Sequence, residues 1–160
     1  MDGVQIREMR REEYPQLDDF LYAAIFVPKG TPAPPRSITG HQPLRIYVDA
    51  FGDMPDDCCL VAECGGCLVG AAWVRIMDDY GHLDDDTPSL AIALKPEYRG
   101  MGIGTCLLEN MLCLLREKGY QQLSLSVQKA NPAMRLYMRL GFKVVEDKGE
   151  ECLMCHRLFT

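Results

Sequence analysis

Leu94-Lys95-Pro96-Glu97-Tyr98-Arg99-Gly100-Met101-Gly102-Ile103-Gly104-Thr105 is the stretch on which the reading of this chain turns. Gly100, Gly102 and Gly104 stand at alternate positions. They follow a short apolar run, Ser89 to Leu94, which reads as a buried strand ended by Lys95-Pro96. They open the clearest helical pattern in the chain, Ile103 to Lys118, whose apolar face is Ile103, Leu107, Leu108, Met111, Leu112 and Leu115. Glycine lets a backbone approach a ligand closely and take dihedrals closed to other residues. The first helical turn leaves its N–H groups without partners, and the helix dipole adds partial positive charge, so the junction suits phosphates. Arg99 adds a fixed charge with forked donors. The P-loop pattern fails, because no Lys-Ser/Thr follows a glycine at the required place. The dinucleotide fingerprint fails too. Its third glycine would fall on Thr105, and the next strand ends in Val127-Gln128 rather than in an acidic residue for a ribose. Elimination leaves another phosphate-bearing ligand, with a plain tight turn as the alternative.

Working outward, Val4 to Met9 alternates as a first strand, and Glu12 to Ile25 carries apolar residues at helical spacing. A loop rich in Pro and Gly, Val27 to Arg36, precedes a second expected helix over Leu44 to Phe51. Cys58 to Cys64 and Cys67 to Met77 form a hairpin about Gly65-Gly66, followed by an acidic loop from Asp78 to Asp86. Beyond the glycine-rich helix, which Gly119 ends, Leu123 to Val127 alternates as a strand. Asn131-Pro132 opens a helix running to about Leu140, and Lys143 to Asp147 with Glu151 to Phe159 close the chain as a hairpin. The order βααβββαβαββ predicts one α+β domain, residues 1–160, with a mixed sheet.

The 160 residues are 48% hydrophobic and 25% charged, enough for a real core and unlike a disordered chain. No run of eighteen apolar residues exists, which excludes a helical membrane span, and the charged, alternating start predicts a cytoplasmic protein. A net charge of −6 argues against nucleic acid and for cationic small molecules. Among eight cysteines are two CxxC pairs, Cys64/Cys67 and Cys152/Cys155. More than eighty residues separate them, and Cys152 and Cys155, three apart on one strand, point to opposite faces. A zinc site across the Gly65-Gly66 turn is the weaker reading. Buried reduced thiols are favoured, and no metal is expected.

Two further motifs give the phosphate site a context. Arg99, Gly102 and Gly104 match Gln/Arg-x-x-Gly-x-Gly/Ala, and Asn131-Pro132 runs through Leu136-Tyr137 to Gly141-Phe142. In these the chain resembles the GNAT superfamily of N-acetyltransferases. The resemblance follows the element order from Val4 to Leu158 and is specific from about Ser89 to Phe142. It implies a mostly antiparallel sheet of about seven strands flanked by about four helices, and direct transfer of an acetyl group from acetyl-CoA to a small-molecule or peptide amine. By that resemblance, main-chain groups of Arg99, Gly100, Met101, Gly102, Ile103, Gly104 and Thr105 would hold the coenzyme A pyrophosphate. Ile92, Ala93 and Leu94 would pair with the pantetheine arm, which requires their strand to splay from its neighbour. Asn131 would contact the cofactor besides capping its helix, and Tyr137 would protonate the departing thiolate. Homodimers are common in the family, so a second copy of the chain is an expected partner to test.

The general base departs from the family pattern. Relatives place a Glu on one of two strands where this chain has Ser89, Ala91, Ser124 and Ser126. The remaining candidates are Glu63, Asp78, Asp79, His82 and Asp84, and the acidic loop as a whole would draw a cationic acceptor. Tyr22, Phe26 and Trp73 are candidates for the acceptor pocket, and Cys106 for a thiol, although helical spacing predicts its burial. A longer acyl-CoA, a non-catalytic acyl-CoA sensor and a zinc-stabilised interaction module are the rival readings.

Overall fold

Seven strands form one sheet: β1 (Val4–Glu8), β2 (Cys58–Cys64), β3 (Cys67–Arg75), β4 (Ser89–Leu94), β5 (Gln122–Gln128), β6 (Lys143–Asp147) and β7 (Glu151–Arg157). Their spatial order is β1-β2-β3-β4-β5-β7-β6, antiparallel throughout except between β4 and β5. Four α-helices join them among the described residues: α1 (Leu17–Ala24), α2 (Gln42–Arg45), α3 (Ile103–Glu117) and α4 (Ala133–Arg139). The computed structural model describes residues 3–159; Met1, Asp2 and Thr160, at the ends of the expected 1–160 domain, lie outside the described residues. The expected mixed, mostly antiparallel α+β architecture is the one observed.

The central strands β2 and β3 are near-continuous apolar runs because helices cover both faces of the sheet. On one face α3 buries Leu107, Leu108 and Met111 against Leu60, Val69 and Met154. On the other, α1 buries Leu17 and Phe20 against Val61, Ala71 and Trp73. Each fully buried side chain of this size contributes roughly 1.5–3 kcal/mol.

Two helices differ from their sequence patterns. The segment expected as one helix from Glu12 to Ile25 begins as a 3-10 helix, Arg11–Gln16, containing Pro15, and becomes α-helical only at Leu17. Proline has no N–H to donate and crowds the preceding turn. The helix expected over Leu44 to Phe51 is confined to Gln42–Arg45. Beyond it the carbonyls are drawn elsewhere: Tyr47 O accepts from Trp73 Nε1 at 3.0 Å, and Ile46 O and Asp49 O accept from Arg75 Nη1 at 3.0 and 2.9 Å. The Arg75 guanidinium also closes a buried pair with Asp57 at 2.9 Å.

Between β4 and β5 the sheet is held by a single register pair, Ser89 with Ser124. The acidic loop stitches this point. Ser89 Oγ donates to Asp79 Oδ1 at 2.8 Å, and Ser124 Oγ donates to Gly81 O at 2.6 Å. Gly81 lies so close to β5 that a Cβ there would sit 3.0 Å from Ser126 N. Beyond the stitch the strands part, leaving the β5-facing edge of Ala91–Leu94 without a strand partner while β3 pairs the other edge. That is the splay that pairing with a pantetheine arm requires.

Candidate active site

A cleft of about 390 Å³ fills the space where β4 leaves β5. Ala91 and Ile92 form one wall, and Ser126, Asn131, Tyr137 and Glu151 the other. Phe26, Tyr47 and Tyr80 close it on the side away from α3.

The glycine loop stands at the end of β4. Arg99 N–H closes a 3-10 turn on Pro96 O at 3.3 Å, so the free donors begin one residue later than the resemblance implies. The N–H groups of Gly100, Met101, Gly102, Ile103, Gly104 and Thr105 have no acceptor among the described residues; the first helical bond runs from Cys106 N to Gly102 O at 3.2 Å. Gly100 and Gly102 have φ of +75° and +87°, a region L residues with a Cβ rarely adopt. A Cβ at either would meet nothing within 4 Å, so backbone conformation rather than crowding requires glycine there, and the space beside them is open. Unpaired donors, an open cradle and the positive end of the fifteen-residue α3 fit a diphosphate. Arg99 does not reach into the cradle with its full fork: Nε donates to Leu94 O at 3.3 Å and Nη2 to Ala23 O at 3.1 Å, bracing the loop against β4 and α1.

At the other end of the cleft stands α4. Asn131 Oδ1 accepts from Ala133 N–H at 2.9 Å, the expected cap, while the residue also lines the cleft. Tyr137 is 8% exposed, and burial pushes its phenol up to about 12. The ring packs edge-on against Phe142, the two centroids 5.9 Å apart. Among the described residues its hydroxyl has no partner, yet it is not sealed off, so it opens into the cleft.

The expected bases are otherwise engaged. Glu63 pairs with Arg7 at 2.7 Å, and His82 Nδ1 lies 2.8 Å from Met77 O. Asp84 accepts from Thr87 Oγ1 at 2.7 Å and from Asp86 N–H at 2.9 Å, which hold its carboxyl below the usual range. Asp78 is exposed, and Asp79 is spent on the seam and on half-buried Tyr47, whose phenol is raised by desolvation and by that carboxylate. None of the five lines the cleft. Of the aromatic candidates only Phe26 does: Trp73 is fully buried, and Tyr22 donates to Pro34 O at 2.6 Å. Cys106 is half-buried rather than buried.

One residue of the cleft escaped sequence reading. Glu151, at the start of β7, faces Gln128 across the β5–β7 ladder and accepts a hydrogen bond from Ser126 Oγ at 3.0 Å. The signal that could have found it is the adjacency of β7 to β5, which no local pattern announces. Among the described residues no cluster of three or more His, Cys, Asp or Glu is arranged to hold a metal, and no helix is long and apolar enough to cross a membrane.

A family model described as "Acetyltransferase (GNAT) family" matches residues 6–142. The thialysine N-epsilon-acetyltransferase of Bos taurus is 34% identical over 122 residues, 67% of this chain and 68% of that protein. The ribosomal protein bS18-alanine N-acetyltransferase of Haemophilus influenzae is 40% identical over 62 residues, 39% of this chain and 42% of that protein. A Bacillus subtilis relative is matched over 64% of its length, so the chain spans less than two thirds of these two bacterial relatives. A crystal structure of PaiA N-acetyltransferase from Thermoplasma acidophilum, in complex with coenzyme A, shares the fold with a TM-score of 0.70 at 21% identity, covering 96% of this chain and 98% of that one.

Proposed function

The chain belongs to the acetyltransferase (GNAT) family, and from that membership we propose that it moves the acetyl group of acetyl-CoA to an amine by direct transfer in a ternary complex. The observation that carries this reading is the parting of β4 from β5 beyond Ser89: Tyr137 lines the cleft opened there, and the loop of unpaired N–H donors stands at the end of the same freed strand. Gly100 to Thr105 bind the diphosphate, the free edge of Ile92, Ala93 and Leu94 receives the pantetheine arm, and Asn131 orients it. Bound acetyl-CoA supplies the activated acyl carbon. Tyr137 stays protonated across the neutral range, so it is a donor to the departing sulfur. From a phenol at about 12 to a thiolate near about 8.5, full proton transfer is uphill by roughly 3.5 units. Hydrogen-bond donation to the developing thiolate is therefore its first contribution, and solvent completes the exchange.

The relatives act on different amines, a ribosomal-protein alanine and thialysine by their names, so the donor half of the reaction is the shared half. The proposal places the protein in the cytoplasm as one domain of residues 1–160 without a metal. Calorimetric titration with acetyl-CoA, followed by a thiol-release screen over amines and a series of acyl chain lengths, tests it. Saturable binding of acetyl-CoA with amine-dependent thiol release is the expected result. Binding without turnover on any amine would establish a sensor instead, and no binding at all would remove the reading.

A further inference from the structure

Among the described residues, Glu151 is the only carboxylate lining the cleft, and no Lys, Arg or His side chain lines it. Among the described residues no cation lies within ion-pair distance of it. Among the described residues, its carboxylate accepts one hydrogen bond, from Ser126, one of the serines standing where a strand carboxylate is absent; this fixes Oε2 and leaves Oε1 free of them. The geometry follows from the ladder. Gln128 is opposite Glu151 and Leu153 is opposite Ser126, so Ser126 and Glu151 are diagonal neighbours, within reach of a long side chain. Part of the surface around it is apolar: Leu21, Ala24 and Ile25 of α1 and its exit line the same cleft. A half-buried carboxylate without a counter-ion, in a cleft that carries an apolar patch beside polar side chains, is a receptor for one ammonium group on a partly apolar stem.

We infer that Glu151 receives the acceptor's ammonium and removes its proton before acyl transfer. The role rests on the transferase reading and deepens it by assigning the acceptor class, a primary amine that is cationic at neutral pH. An ammonium has no lone pair. Loss of one N–H proton to the Glu151 carboxylate creates the nucleophile, whose lone pair forms the C–N bond to the acetyl carbon. The C–S bond then breaks, its electron pair leaving on sulfur. The nitrogen loses its second proton to solvent, the sulfur, hydrogen-bonded by Tyr137, takes one proton from solvent, and Glu151 returns its own to solvent. The sum is ammonium plus thioester giving amide, thiol and one released proton. Ser126 is a positioning residue in this scheme, since it acts through the carboxylate.

The test compares two nucleophiles with wild type and Glu151→Gln: thialysine, cationic at neutral pH, and semicarbazide, which is uncharged there and needs no deprotonation before attack. Glu151→Gln preserves shape and the hydrogen bond from Ser126, and an unchanged calorimetric Kd for acetyl-CoA verifies the fold. We expect kcat/KM for thialysine to fall by at least about 100-fold and that for semicarbazide by less than about threefold. Equilibrium binding of thialysine to the protein saturated with coenzyme A is expected to weaken by at least about tenfold. Equal losses with both nucleophiles assign Glu151 a structural role and overturn the inference, as does no loss with either. A second variant, Ser126→Ala, is expected to lower the thialysine rate by roughly 3–10-fold while sparing semicarbazide. Wild-type protein that binds acetyl-CoA but turns over neither these nucleophiles nor any amine of the screen removes the transferase reading itself, and this role with it; wild-type turnover matched by Glu151→Gln removes this role alone.

Discussion

Tyr137 combines a buried ring with a hydroxyl that has no protein partner, and the two features have separable consequences. Removing the oxygen leaves the packing against Phe142 intact, so Tyr137→Phe keeps the fold and the Kd for acetyl-CoA. On the proposed donor role its kcat is expected to fall by about 100-fold, and steady-state kinetics beside calorimetry checks the split. At this scale legibility in the sequence was uneven. Tyr137 and Asn131 were reachable because each belongs to a contiguous motif on one helix. Glu151 was not, because its meaning depends on a neighbour some 25 positions away in sequence, Ser126. The aspartates of the 78–86 loop looked like chemistry because charge is visible in a sequence. Their partners, Ser89 and Thr87 among them, are visible only in three dimensions.

The glycine loop and α3 act as one element, in which backbone conformation prepares the anion site. Gly102→Ala must hold a Cβ at φ +87°, at a cost of about 1–2 kcal/mol, and is expected to lower the Tm by a few degrees with modest loss of affinity. Gly102→Asp adds a carboxylate where the proposed diphosphate would bind and is expected to weaken acetyl-CoA binding by at least about 100-fold, read by calorimetry. This element was legible because its information is local: alternating glycines, then an apolar period of 3.6 residues. The helix expected at Leu44 to Phe51 failed for the opposite reason. Its carbonyls are claimed by Trp73 and Arg75, residues of β3 more than twenty positions away, and tertiary hydrogen bonds outrank a weak helical pattern. The split of the first helix was legible in principle, since Pro15 stands in the sequence.

Across the whole molecule, strand number, helix order and the mixed sheet follow from the succession of periodic segments, but the parting of β4 from β5 does not. A strand that gains a ligand as its neighbour has the same side chains as one that gains a strand. Stability has a pH signature of its own. Arg7, between Glu13 and Glu63 at 2.8 and 2.7 Å, ties the 3-10 segment before α1 to β1 and β2 and holds the Glu13 carboxyl down at about 2. The unfolded value is near about 4.3, so on acidification the unfolded chain binds the proton first. The stabilisation is complete above the unfolded value and is lost as the pH falls from about 4 to about 2, by at most about 3 kcal/mol. Urea midpoints measured from pH 6 to pH 2 are expected to drop over that window, and Glu13→Gln is expected to flatten the drop. The single rung between Ser89 and Ser124 reaches further than the cleft it opens. It divides the sheet into two plates, β1 to β4 and β5 to β7, and α3 spans both on one face, packing with Leu60 and Val69 of the first and Met154 of the second. On the proposed reading, a thioester carrier held at its phosphates by the first plate and at its reactive end by the second acts as a rivet across that seam. Deuterium uptake at Ala91 to Leu94 is then expected to slow when acetyl-CoA is added, and unchanged uptake would count against that placement.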